Sequence, residues 1–433
     1  MAIDEREVDA DMPGAEDIES FRLRARQWLR DNVALLPDGK NNAVLSREDE
    51  TGEWTRSLQR KLFDGGFAGL CFPREYGGQG LGRSHQRAFT QESLPYQMPT
   101  SLNVPTFSIL AATLLDFGTE EQKQRHIPAI LRGDEMWVQF LSEPSGGSDL
   151  AGLVTRATRD GDVFILNGSK IWSTGAHKCD YAMCLARTNW QVPKHRGLTM
   201  FIMKIHQPGV EIQQIRMNNG TAEFCQEFFD DVVIPASEVV GEVDDGWTVA
   251  SRLLYHERDA VGGGSPYISG VAVAGAGHGT SRADLVDLAR RSGQASNPRV
   301  RQLVAEDRIN DRVQNQLVQR ITTGIRSGAL PPPAGSISRL MAATTTERHL
   351  DIALDIAGPS IGAWLGEEGS GGGGATGMLG VSNWGDAYLI RQGGSLGGGS
   401  TEMQRNIISE RVLGMPREYS ADRDVPFEQV RHN

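Results

Sequence analysis

The sequence predicts an α+β protein of three successive regions: an N-terminal α-helical domain over residues 1–134, a middle β domain over 135–240 and a C-terminal helical-bundle domain over 241–433. Two shifts of hydrophobic period carry this reading. Apolar residues recur every three to four positions up to about Gly133, alternate from about Glu135, and return to helical spacing after Val240. At 433 residues the chain is long enough for two or three domains and for a cofactor-sized cleft where helical and β regions meet.

The elements follow in order. IESFRLRARQWLRDNV has the spacing of an amphipathic helix, and GTEEQKQRHIPAIL opens with Thr119 three residues before Gln122, a capping-box start with acidic residues in the first turn. In the β region, DVFILNGSKIW contains the Asn167-Gly168 pair, which predicts a tight hairpin there; strand-like runs follow at DYAMCLART, GLTMFIMKI, GVEIQQI and FCQEFFDDVVIP. GWTVASRLLYHER, VRQLVAEDRINDRVQNQLVQRI and SISRLMAATTTERHLDIALDIA read as helices again. Two inserts, GGGSPYISGVAVAGAGHGTS and EEGSGGGGATGM, have the composition of flexible loops and lack the Lys and Ser/Thr of a phosphate-binding P-loop.

Charge narrows the partners. Lys plus Arg is 44 against 55 for Asp plus Glu, a formal net charge of −11, which argues against nucleic acid and against an anionic membrane surface. Cys71, Cys179, Cys184 and Cys225 show no metal-ligand spacing and lie in or beside apolar runs, so reduced core thiols and no metal are expected. No apolar run approaches the ~20 residues of a membrane span and no signal-like stretch opens the chain, so the expectation is a cytoplasmic protein.

The stretch QFLSEPSGGSDLAG, Gln139 to Gly152, reads on its own as a Gly/Ser turn. Its companions change that reading. With NGSKIWSTGAHKCDYAMCLART at 167–188, FPREYGGQG at 72–80, GTEEQKQRHIPAILRGDE at 118–135 and EMQRNIISERVLG at 402–414, it resembles the acyl-CoA dehydrogenases, flavin enzymes that oxidise acyl-CoA thioesters to 2,3-enoyl-CoA. The resemblance spans most of the chain. It implies helix, β and helix domains in the order already read, FAD as cofactor, acyl-CoA as substrate and an electron-transfer flavoprotein as acceptor.

The resemblance also implies roles for residues. Leu141 and Ser142 match positions whose backbone and hydroxyl bond the flavin pyrimidine edge, and Gly147 and Ser148 match the flank facing the acyl-CoA. Trp172 matches the aromatic packed on the isoalloxazine ring, and Thr174 the hydroxyl near its reactive N5. The chemistry is apt, since glycine lets a backbone approach closely and an indole supplies a flat apolar wall. Without the resemblance, Trp172 is a half-buried strand residue.

The family's reaction takes a proton from the carbon beside the thioester carbonyl, which needs a positioned carboxylate. In many members a Glu stands four residues before the Glu of the C-terminal motif, but SLGGGSTEMQ places Gly398 there. Members resembling the isovaleryl and long-chain enzymes carry the base on the helix after the β domain, where SRLLYHERDAVGGG puts Glu257 and Arg258 on the matching positions. Glu257 is therefore the candidate base and Arg258 a substrate-binding candidate; alone, Glu257 reads as a surface carboxylate. Gly398 keeps the backbone N–H that in the family points at the thioester oxygen.

Homotetrameric members grip the flavin across subunits through Arg-x-x-Phe-Gly and Gln-x-x-Gly-Gly stretches. Here RADLVDLARRSGQASNPRVRQ and LDIALDIAGPSIGAW keep neither. Actinobacterial members often pair two different chains, so a homodimer, a homotetramer and a heterotetramer with a related chain all stay open. Glycines 262 to 264 either widen the acyl pocket or form a loop. The competing readings are an acyl-CoA oxidase or flavin monooxygenase on the same fold, and a non-catalytic subunit completing a partner's flavin site.

Overall fold

A computed structural model of the chain describes residues 16–37, 42–261, 264–270, 283–358 and 384–430. Backbone contacts group the chain into two units, Met1–Val273 with Ser420–Asn433, and Ala274–Tyr419.

The first unit opens with helices. In α1 (Ile18–Asn32) the buried stripe is Phe21, Ala25 and Leu29, each four residues on from the last, and Asp17 caps the start by accepting from the Glu19 N–H. It is followed by α2 (Asn42–Glu48), α3 (Glu53–Asp64), α4 (Arg83–Ser93), α5 (Ala112–Phe117) and α6 (Glu120–Arg132). The expected capping box starts α6: the Gln122 N–H donates to the Thr119 hydroxyl and the Thr119 N–H to the Gln122 side chain.

An eight-stranded sheet follows, ordered β6-β7-β3-β2-β4-β5-β8 with β1 beside β4. Its strands are β1 (Trp137–Phe140), β2 (Arg156–Asp160), β3 (Val163–Thr174), β4 (Tyr181–Arg187), β5 (Leu198–Lys204), β6 (Val210–Ile215), β7 (Phe224–Pro235) and β8 (Val239–Val240). Its buried faces join one core, in which Phe164, Leu185 and Phe201 meet Val249, Ala250 and Leu253 of α7 (Gly246–Val261).

The hairpin expected at Asn167-Gly168 is corrected. The turn is Gly161 and Asp162, with Gly161 at φ +58°, and β3 runs straight through Asn167 and Gly168. What stands there is a bulge. Leu166 pairs with Val232 but Gly168 with Phe229, so β7 carries one extra residue; Asp231 sits at φ +49° and exchanges two hydrogen bonds with the Asn167 side chain. Gly168 lies at φ +146°, and a Cβ on it would stand 2.7 Å from the Thr155 hydroxyl oxygen. Crowding and backbone, not a turn, account for the glycine.

The first Gly/Ser-rich insert is also corrected in part. Within residues 264–270, Tyr267 packs 4.7 Å from the Phe72 ring and accepts the Ser108 hydroxyl on its carbonyl, while Ser269 donates to Gln59. These residues are core, because they supply partners for buried polar groups of the helices. The rest of that insert, and all of the second, lie outside the described residues.

The second unit contains α8 (Ala283–Arg291), α9 (Pro298–Arg326), α10 (Gly335–Ala357), α11 (Trp384–Ile390), α12 (Gly393–Leu396) and α13 (Thr401–Ile407). Leu285, Leu303, Leu350, Ile356 and Trp384 form its core, and buried Asp307 of α9 bonds His349 of α10 at 2.8 Å. The four cysteines are buried with no disulfide among them. Among the described residues no helix is long and apolar enough to cross a membrane.

Candidate active site

Strand β1 runs directly into the loop that the sequence singles out. The Lys170 ammonium donates to the Leu141 carbonyl at 2.9 Å, and the Ile171 N–H to the Ser142 carbonyl at 2.9 Å, so β3 and the loop start are laced together. This brings Leu141 and Ser142 beside the strand that carries Trp172 and Thr174. Gly147 and Ser148 are exposed on the loop, and a Cβ on Gly147 would stand 3.2 Å from the Ser142 hydroxyl.

Glu143 folds inward. It is 4 % exposed and accepts from the Val154 N–H at 2.7 Å, the Thr155 N–H at 2.9 Å and Lys170 at 2.9 Å. Burial alone would raise its carboxyl, but the Lys170 ammonium and these donors outweigh it and hold the group below the usual carboxylate range. Glu143 therefore shapes the loop from inside.

Trp172 is the extra residue of a second bulge, this one on β3. Ile171 pairs with Gln226 and Ser173 with Cys225, which leaves Trp172 unpaired in the ladder at φ +68° and 54 % exposed. A bulky side chain at positive φ is costly, and such strain concentrates at functional sites. The bulge turns the indole outward while Ser173 returns to the core. The Phe224 ring stands nearly perpendicular to the indole, with the ring centres 5.9 Å apart, and Thr174 emerges on the exposed side.

Behind this shelf lies Glu227, fully buried and directly opposite Lys170 in the ladder. The Ser173 hydroxyl donates to its Oε1, whereas its Oε2 has no hydrogen-bond partner among the described residues. Burial pushes its pKa up from 4.5 to about 7, against the smaller opposing effects of Ser173 and Lys170. The folded chain thus holds this proton more tightly than the unfolded chain. The associated stability is full below pH 4.5 and is lost as pH rises through about 7. Glu227→Gln removes that dependence. By denaturant titration it is expected to be more stable than the parent by up to about 3 kcal/mol at alkaline pH and similar to it in acid; parallel stability curves would contradict the assignment.

Glu257 is half-buried on α7 and accepts from Gln139 Nε2 at 2.8 Å. Gln139 is two residues before Leu141, so the bond brings the candidate base to the strand that feeds the loop. The buried Gln139 Oε1 has no hydrogen-bond partner among the described residues. Arg258 is exposed on the same helix. Gly398 belongs to the second unit, at φ +68° just before Ser400, which caps α13.

Sequence reasoning missed Gln139, Lys170 and Glu227. Lys170 and Glu227 left a signal, since each is a charged residue at an inward position of an alternating strand. An exposed flat indole beside a glycine-bordered backbone shelf fits the isoalloxazine of FAD.

Comparison with known proteins agrees. Residues 15–134, 139–232 and 244–413 match the N-terminal, middle and C-terminal domains of acyl-CoA dehydrogenase. Acyl-CoA dehydrogenase IpdE1 of Mycobacterium tuberculosis is 34 % identical over 405 residues, covering 93 % of this chain and 99 % of that protein. Mitochondrial isovaleryl-CoA dehydrogenase of Pongo abelii is 29 % identical, covering 58 % of this chain and 61 % of its own. The solved Tcur3481-Tcur3483 steroid ACAD is 27 % identical with a TM-score of 0.71, covering 94 % and 100 % of the two chains. The chain belongs to the acyl-CoA dehydrogenase family, FAD-dependent oxidoreductases of acyl-CoA.

Proposed function

We propose that this dehydrogenase acts on a bulky, steroid-derived acyl-CoA, with Glu257 removing the α proton. The observation that carries the reading is the Gln139–Glu257 bond, which holds a carboxylate on α7 in a chain with glycine at position 398. FAD, when bound, accepts the hydride from the β carbon. The chain's own residues do the rest. Leu141, Ser142, Trp172 and Thr174 would seat the flavin and Gly147, Ser148 and Arg258 would face the thioester; Gly398 keeps the backbone N–H that the family resemblance assigns to the thioester oxygen. The steroid class is supported by the likeness to the Tcur3481-Tcur3483 steroid ACAD, whose two-part designation also favours work beside a related chain. Electron-transfer flavoprotein is the proposed acceptor and the cytoplasm the proposed setting.

The test is anaerobic addition of short linear, branched and steroid-bearing acyl-CoA thioesters to the flavin-loaded protein, purified alone and with a co-expressed related chain. Bleaching of the flavin by the steroid thioester, at a rate well above the linear ones, is expected. Equal or faster bleaching by linear thioesters overturns the substrate class. Peroxide formation during aerobic turnover, in place of transfer to an electron-transfer flavoprotein, would make the chain an oxidase.

A further inference from the structure

Residues 420–430 return to the first unit and lie along the loop between β4 and β5. The Phe427 N–H donates to the Val192 carbonyl at 3.0 Å and the Glu428 N–H to the Trp190 carbonyl at 3.0 Å, and Pro426 pairs with Pro193. Phe427 is 1 % exposed, and its ring centre lies 3.5 Å from the guanidinium carbon of Arg187.

Arg187 explains why an aromatic ring belongs there. It is fully buried, and its guanidinium donates to the carbonyls of Ala151 at 2.6 Å, Leu153 at 3.1 Å and Lys194 at 3.2 Å. Taking this cation out of water costs free energy, which the carbonyl hydrogen bonds and a facing electron-rich ring offset. The Phe427 ring supplies that face at 3.5 Å, with the Trp190 ring farther off at 5.7 Å. Burial pushes the Arg187 pKa down to about 10, as expected for such a sealed charge. A second tie runs beside the first: Lys194 Nζ bridges Asp149 at 2.9 Å and Asp422 at 2.7 Å. Both ties end on the chain that leaves Gly147 and Ser148.

We propose that residues 420–430 are a positioning strap for the acyl-CoA side of the site, with Phe427 sealing Arg187 and Lys194 joining Asp422 to Asp149, so that the Gly147–Leu153 loop is held ready for substrate. The proposal rests on the reading of Gly147 and Ser148 as substrate-facing residues. Phe427, Arg187 and Lys194 are positioning residues, since none is placed against the reacting atoms.

Two measurements on the flavin-loaded full chain test it. The first needs no turnover: amide hydrogen exchange across residues 147–153 is expected to accelerate in Phe427→Ala and in Phe427→Leu, with α1 unchanged, and to return to the parent rate in Phe427→Tyr. Unchanged exchange in both Ala and Leu variants overturns the strap. The second is steady-state kinetics on the reducing acyl-CoA, where Phe427→Leu is expected to raise KM about tenfold with kcat within about twofold and flavin content unchanged. Asp422→Asn, which leaves Phe427 in place, should move KM in the same direction by less. A Phe427→Leu enzyme with the parent KM but lower thermal stability shows that the segment only stabilises the fold. If no acyl-CoA reduces even the parent, the functional reading fails, while the exchange experiment still decides whether the strap holds the loop.

Discussion

Glu257→Gln is expected to lower the rate of flavin reduction by acyl-CoA about 10³-fold while FAD remains bound. The exchange is nearly isosteric. The carbonyl of the introduced amide can still accept from Gln139, and Val249, Ala250 and Leu253 keep α7 in the core, so folding should not be affected. What is lost is a basic oxygen able to take the α proton. Single-turnover reduction under anaerobic conditions isolates this step from reoxidation and product release. Retention of the parent rate would place the base elsewhere and return Glu257 to an ordinary helix carboxylate.

The largest stability effect is expected from Lys170→Met. It should destabilise the fold by about 3–5 kcal/mol near neutral pH and weaken FAD retention. Lys170 is fully buried and neutralises Glu143, which is itself only 4 % exposed and would keep only its backbone donors after the change. Methionine has similar length and fills the space, so the loss reports an uncompensated charge and not a cavity. The Leu141 carbonyl also loses its donor, on the shelf expected to meet the flavin. The pH dependence has a defined sign. In the parent, the depressed Glu143 pKa contributes stability above its ordinary value of 4.5 that is lost as pH falls through the lower folded value. Without Lys170, burial raises that pKa, so the gap between variant and parent should narrow in acid. Equal denaturation curves at neutral pH would contradict this account.

Much of the fold was legible because its signals are local. The Thr119 capping box, the three-and-four spacing of α1, the continuous apolar runs of β4 and β5 and the alternation of β6 and β7 each depend on residues within one element. Asn167-Gly168 misled because turn propensity is also local, and here it was overridden by the extra residue on β7. The site divides in the same way. The loop, the Trp172 strand and the Glu257 helix could be found from motifs, but the Gln139–Glu257 bond joins residues 118 positions apart and exists only after folding. Lys170 and Glu227 were within reach, because Glu227 alternates with buried Cys225 and Phe229 and so had to face the core.

The two bulges of the β3–β7 pair carry one surplus residue on opposite strands, so the pairing before the first and after the second follows the same register. Only the short span between them is displaced by one. Removing Trp172 alone would act on the pleat as a frameshift, because Ser173 and Thr174 would each exchange core for surface or lose their partners on β7. Removing Asp231 along with it would leave an uninterrupted ladder and no outward indole. Length in these two strands is thus coupled, and the shelf can be erased without unfolding the sheet only by changing both strands together.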